Sequence, residues 1–421
     1  MTSITLVTSL ALLASAAADL QPRAATLEVA AVIEENFYDP EAGAKIAADL
    51  TREAEAGEYD SYTDELDLAA ALTARLSPLD GHLNVDWSPP VDAEAAEEEG
   101  EDQPALSWYD VMRRQGHGFE EVRILPGNIG LIVMTGFADI DFRDEADPAK
   151  AVADAALAMT ADTDALIFDL RNNGGGAPAM TGYLVSALTE GGEGIYNVLH
   201  YRGGTVSEAP EIAYHSPDPE RPVFILTSAR SASAAESFPY MLQAAGRAKI
   251  IGERTIGAAN PGGEIGTPSG FEVFVPTGRP INPVTKRNWE GEGVAPDTEV
   301  EAEDALEEAY EQALASVPGK GPLTKDAAWT LEALQAGYEP SRKELRRLAG
   351  SYGPYRFEAV EGGLVLHQGR RMPRFLQALS KGVFFEKSDP VHRFHFVMEG
   401  RRAEAVEARS AYGRVVRQPK D

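Results

Sequence analysis

The chain has 421 residues, 43% of them hydrophobic, and its 38 Lys/Arg against 67 Asp/Glu leave a formal charge of −29. That length predicts two or three domains with a proper core, and that charge disfavours a phosphate-backbone partner, so no nucleic acid is expected. There is no cysteine, which excludes disulfides, thiol catalysis and cysteine metal sites.

Residues 4–14 are almost wholly apolar and run into Ala14-Ser15-Ala16-Ala17-Ala18. This pattern predicts a signal peptide over 1–18, although Met1-Thr2-Ser3 lacks the usual Lys or Arg. The run is shorter than the roughly 20 residues that span a bilayer. The expectation is an exported protein, periplasmic or extracellular, with no stable membrane span.

Residues 24–88 read as an N-terminal helical segment, expected to form a small helical bundle. Val29, Val32 and Ile33 share one face, Ala42, Ile46 and Leu50 a second, and Leu68, Leu72, Leu76 and Leu79 a third. Pro40 opens the second helix, and Thr63 or Asp64 caps the third. Asp80-Gly81-His82 then forms a turn into a short strand. A histidine there is either a structural edge residue or a general base. Residues 89–104 form an acidic loop without apolar periodicity, which predicts a solvated segment.

Residues 105–316 alternate strand and helix, the pattern of an α/β core with a mainly parallel sheet. Strands are expected at 129–134, 165–169, 223–226 and 249–251, and helices at 147–161, 179–188, 238–245 and 304–315. A hairpin is expected around 272–276. The strand at 165–169 leads into Leu170-Arg-Asn-Asn-Gly174-Gly175-Gly176. These glycines fit neither a P-loop nor a dinucleotide fingerprint. They serve either a tight turn or close backbone approach to a ligand. The strand at 223–226 leads into Thr227-Ser-Ala-Arg-Ser-Ala-Ser233-Ala-Ala-Glu236. Ser233 and Glu236 have the spacing of a capping box. The same strand-to-helix turn also suits an exposed nucleophile beside free helical N–H groups.

Residues 317–340 read as a linker with a helical stretch at 325–335. Residues 341–421 carry 17 Lys/Arg and 9 Asp/Glu, and their short alternating runs predict a small antiparallel β-domain.

His82, the glycines 174–176, Ser233 and Glu290 together offer a base, oxyanion donors, a nucleophile and an orienting acid. Four motifs occur in order: Asp169-Leu-Arg-x-Asn-x-Gly175-Gly176, Thr227-Ser-x-x-Ser-x-Ser233-Ala-Ala-Glu236, Gly252-Glu-x-Thr-x-Gly257 and Gly293-Val-x-Pro-Asp297. With them the chain resembles the tail-specific, C-terminal-processing serine protease family over about residues 24–316. The resemblance implies a crotonase-like catalytic core. One branch of the family uses a lysine base, and Ala258 stands at that position here. That branch also carries a PDZ domain, for which the residues between His82 and Asn128 are too few. Asp80-Gly81-His82 is similar instead to the branch of the tricorn core and the retinoid-binding repeats, which uses a histidine base.

The resemblance therefore implies Ser233 as nucleophile, His82 as base and Glu290 as its orienting acid, with Glu292 in reserve. A serine precedes the histidine in the tricorn core, where Gly81 stands here. The implied oxyanion donors are the N–H groups of Ala234 and of Gly175 or Gly176. The implied substrate is a peptide or protein, and no metal or cofactor is required. The alternative is a catalytically inactive, protease-like binding protein for an apolar ligand or peptide.

Overall fold

The computed structural model describes residues 20–88, 107–190, 192, 194–318 and 324–421. The expected signal peptide and acidic loop lie outside the described residues, as do residues 319–323 of the expected linker. The chain forms two compact units. One contains 1–101, 201–204 and 260–278, and the other contains 102–200, 205–259 and 279–421.

The first unit packs three helices on a three-stranded antiparallel sheet. The helices are Pro22–Asn36, Pro40–Glu55 and Glu65–Leu76. Asp39 caps the second through the N–H groups of Glu41 and Ala42, with Pro40 supplying the first helical residue. Asp64 caps the third in the same way. Val29, Ile33, Leu50, Leu68, Leu72 and Leu76 are fully buried, as the helical periodicity predicts.

The sheet runs Asn84–Trp87, Phe271–Pro276, Gly262–Gly266, with Val85 opposite Val273. Residues 260–278, which sequence order groups with the α/β core, thus return to pair with the strand after His82. Thr73 Oγ1 donates to the Val85 carbonyl and accepts its N–H, both at 2.9 Å. This ties the third helix to the strand just beyond His82.

The second unit is built on a six-stranded sheet. Its order is Thr298–Glu299, Ala248–Gly252, Val223–Thr227, Ala165–Asp169, Ile129–Met134, Phe119–Leu125. All neighbours are parallel except the last pair. The central strands are buried on both faces, which explains their continuous apolar runs. Ile132, Phe168 and Ile225 face the helices Pro148–Met159, Pro178–Leu188 and Ala234–Ala244. Leu131, Ile167 and Leu226 face the helices Ala305–Ser316 and Lys325–Leu334. The expected linker therefore holds a packed helix.

Eight antiparallel strands between Gly350 and Pro419 follow in simple sequence order. The Asp421 N–H donates to the Ser351 carbonyl at 3.0 Å, so the sheet curls into a near-barrel. Helix Lys325–Leu334 docks on it: Arg393 lies 4.2 Å from the Trp329 ring centroid and pairs with Glu332 at 2.6 Å.

One buried acid lies under helix Ala234–Ala244. Glu208 accepts from Asn197 Nδ2 at 2.9 Å and from Ser237 Oγ at 2.6 Å, two neutral donors. Burial pushes its pKa from 4.5 up to about 7. Between these values the folded protein holds a proton that the unfolded chain has lost. The associated stability is full below the unfolded value and is lost as pH rises through the folded one, by about 3 kcal/mol. Glu208→Gln is expected to flatten the fall in melting temperature between about pH 5 and pH 8. Equal slopes for variant and wild type contradict this.

Candidate active site

Two turns meet at the carboxyl ends of adjacent parallel strands, where open α/β sheets place their ligands. Ala165–Asp169 and Val223–Thr227 pair with Asp169 opposite Leu226. The chain leaves the first through residues 170–176 and the second through 228–233. Hydroxyl groups join the two turns. Ser231 Oγ donates to the Leu170 carbonyl at 2.8 Å, and Ser228 Oγ to the Arg171 carbonyl at 2.6 Å. The Ala232 N–H reaches the Asn173 carbonyl at 3.2 Å. Two of the three serines in this stretch are therefore struts, and Ser233 alone is exposed.

Ser233 has φ 55° and ψ −118°, ahead of helix Ala234–Ala244. A non-glycine residue there carries strain of about 1–3 kcal/mol, which the surroundings must impose. Gly175 lies against it: a Cβ on Gly175 would fall 2.7 Å from Ser233 Cβ and 3.2 Å from the Ala234 nitrogen. Only glycine fits at 175, which passes close against the Ser233 turn, whereas a Cβ on Gly174 would meet nothing within 4 Å. The Gly175 N–H donates to Asn173 Oδ1 at 2.9 Å. The N–H groups of Gly176 and Ala234 have no acceptor among the described residues.

Glu236 holds this turn. It is fully buried, and its carboxylate accepts from the Ser233 N–H at 2.9 Å, Thr255 Oγ1 at 2.5 Å, the Gly257 N–H at 2.7 Å and the Ala258 N–H at 2.8 Å. Burial raises its pKa, and these donors work against the rise. The capping-box spacing showed the link to Ser233. Nothing in the local sequence showed the reach to residues 255–258.

The 255–258 loop in turn holds the turn that carries Glu290. The Gly291 N–H donates to the Gly257 carbonyl at 2.8 Å, and the Val294 N–H to Thr255 Oγ1 at 2.7 Å. Glu290 accepts from the Ala259 N–H at 2.8 Å. Glu292 instead forms an exposed pair with Arg287 at 2.7 Å. Ala258 contributes a backbone donor to Glu236.

His82 belongs to the first unit. Its ring stacks on Phe274 at 6.0 Å, and its N–H donates to Asp80 Oδ1 at 3.0 Å. Asn260 Nδ2 donates to the other oxygen of Asp80 at 2.9 Å. The buried Asp80 thus fixes the backbone of the His82 turn, a role that the Asp-Gly-His pattern alone does not disclose.

Glu236→Gln places an amide NH2 among four donors and leaves at least one unpaired. The expected cost is about 1–3 kcal/mol in urea unfolding, with a loss of activity beyond that of a destabilised surface variant. Unchanged unfolding and turnover contradict the assigned role.

The model of peptidase family S41 matches residues 128–300, which include Asp169, Gly174–Gly176, Ser233 and Glu290 but not His82. Among solved structures, the chain is similar to a lipoprotein from Streptococcus agalactiae, at 15% identity over 72% of this chain and 99% of that one, with a TM-score of 0.46. It is also similar to a photosystem II D1 C-terminal processing protease, at 16% identity over 68% of this chain and 94% of that one, with a TM-score of 0.44. No helix among the described residues is long and apolar enough to cross a membrane. Residues 128–300 thus match peptidase family S41, and this match supports a serine-type peptidase of the tail-specific, C-terminal-processing kind.

Proposed function

We propose that the chain is an exported serine peptidase that cleaves peptide bonds by a Ser-His-Glu mechanism on a crotonase-like core. The observation that carries this reading is Ser233: exposed, held at a strained φ, and flanked by two N–H groups without acceptors. Export rests on the sequence of residues 4–18 alone.

In this scheme Ser233 Oγ attacks the scissile carbonyl. His82 takes the hydroxyl proton and returns it to the leaving amine, and water then releases the acyl group. The N–H groups of Ala234 and Gly176 stabilise the oxyanion, since the Gly175 N–H is engaged by Asn173. Glu290 orients His82 and stabilises its imidazolium. It is preferred to Glu292 because it is joined to the loop beside Ser233, whereas Glu292 is turned to Arg287. His82 is assigned by the Asp-Gly-His element. The scheme needs no metal or cofactor, and its substrate is a peptide or protein.

Ser233→Ala is expected to lower peptide turnover by about 10⁴-fold or more, with its circular dichroism unchanged. His82→Ala is expected to approach the same loss. The double variant should be no worse than Ser233→Ala, because groups that act as one unit are not additive. Undiminished turnover in Ser233→Ala rules the scheme out, and independent, multiplying losses remove His82 from it.

A further inference from the structure

The near-barrel has an open end with a composition of its own. Its core is apolar: Leu364, Leu366, Leu376, Phe384, Phe394 and Phe396 pack inside. Side chains of a strand return to the same face every second residue. Gln368 follows the strand Gly363–His367, Arg374 opens Arg374–Ser380, Glu386 ends Val383–Glu386, His392 lies within Asp389–Glu399, and Ser410 ends Arg402–Ser410. Arg414 stands two residues before Val416, which lies opposite Ala408. In the cross-strand register Leu366 lies opposite Arg374, and His392 opposite Ser410. Among these side chains Arg374 and Arg414 are cations and Glu386 is an acid.

A cavity of about 360 Å³ opens there. Tyr355, Phe394, Ala408 and Val416 supply its apolar wall, and Arg371, Arg374 and Arg414 its charge. The guanidinium groups are unequally satisfied. Arg374 has Glu386 at 3.1 Å. Gln368 Oε1 accepts from both Arg374, at 3.2 Å, and Arg371, at 3.4 Å. Arg371 and Arg414 have no carboxylate partner among the described residues. Asp389 also lines the cavity, and it is held by His392 at 2.8 Å. Arg393 and Arg409 are paired with Glu332 and Glu407. Uncompensated positive charge thus remains at the mouth, in a chain whose formal charge is −29.

Two guanidinium groups converging on one neutral oxygen form a fork suited to a planar anion. A mainly polar, arginine-rich cavity with one apolar side, at this volume, has the dimensions of a small-molecule site. We propose that this end of the near-barrel binds a carboxylate carried on a compact apolar body. The carboxylate sits on Arg371, Arg374 and Arg414, and the apolar part lies against Tyr355, Phe394 and Val416. The chemistry is shared by a short acyl carboxylate and by the free C-terminus of an apolar peptide. The site is independent of Ser233.

The test is calorimetric titration of the full chain with four probes: octanoate, N-acetylphenylalanine, its neutral amide and inorganic phosphate. Octanoate or N-acetylphenylalanine is expected to bind and to weaken with added salt, and whichever binds identifies the source. Arg371→Gln and Arg414→Gln are each expected to weaken it by about tenfold or more. Both side chains are exposed, so these variants should keep the wild-type melting temperature even if Arg374→Gln does not fold. The proposal is overturned if neither carboxylate binds, if the neutral amide binds equally well, if phosphate alone binds, or if the two variants bind as wild type does.

Discussion

The carboxylate of Glu236 is the constraint on which the rest of the site depends. It is buried with no cationic partner among the described residues and is satisfied by four donors from two separate segments. An isolated buried carboxylate would be costly, so the donors must be kept in place, and keeping them in place fixes two loops. One is the turn of Ser233. The other, at 255–258, holds the turn of Glu290 through Thr255 and Gly257. The helix start, the Ser233 turn and the Glu290 turn thus share one electrostatic centre.

The parallel sheet makes this arrangement possible. Adjacent strands of one direction end side by side, so the 170–176 and 228–233 turns emerge next to each other. Ser228, Ser231 and Asn173 then join the turns, and the absence of a Cβ at Gly175 lets the backbone pass against Ser233. The strain at Ser233 is sustained by these contacts from both sides. Such strain is expected where a side chain must project away from its own helix.

The elements that were legible in the sequence carry their own periodicity or punctuation. The three N-terminal helices, the four inner parallel strands and the small β-module are of this kind. Ser233 was visible as one of two things, a cap or a nucleophile turn, and the structure has features of both. What was hidden depends on contacts between distant segments. Residues 260–278 gave a hairpin signal but no sign that they pair with the strand after His82. The helix Lys325–Leu334 was legible as a helix, but its packing was not: Ala327 is fully buried against the sheet's other helix. The strand Phe119–Leu125 is antiparallel and half exposed, without the apolar run that marks its neighbours. Among the site residues, Glu290 and Glu292 have the same local composition, and only their partners distinguish them.

The central claim is that Ser233 Oγ is a nucleophile activated by the fold. Reaction of the folded chain with a fluorophosphonate, followed by mass spectrometry of its peptides, tests this most directly. The account predicts a single adduct on Ser233, lost when the protein is unfolded before reaction and absent from Ser233→Ala. An adduct on another residue, or none on a folded chain that hydrolyses peptides, would contradict it.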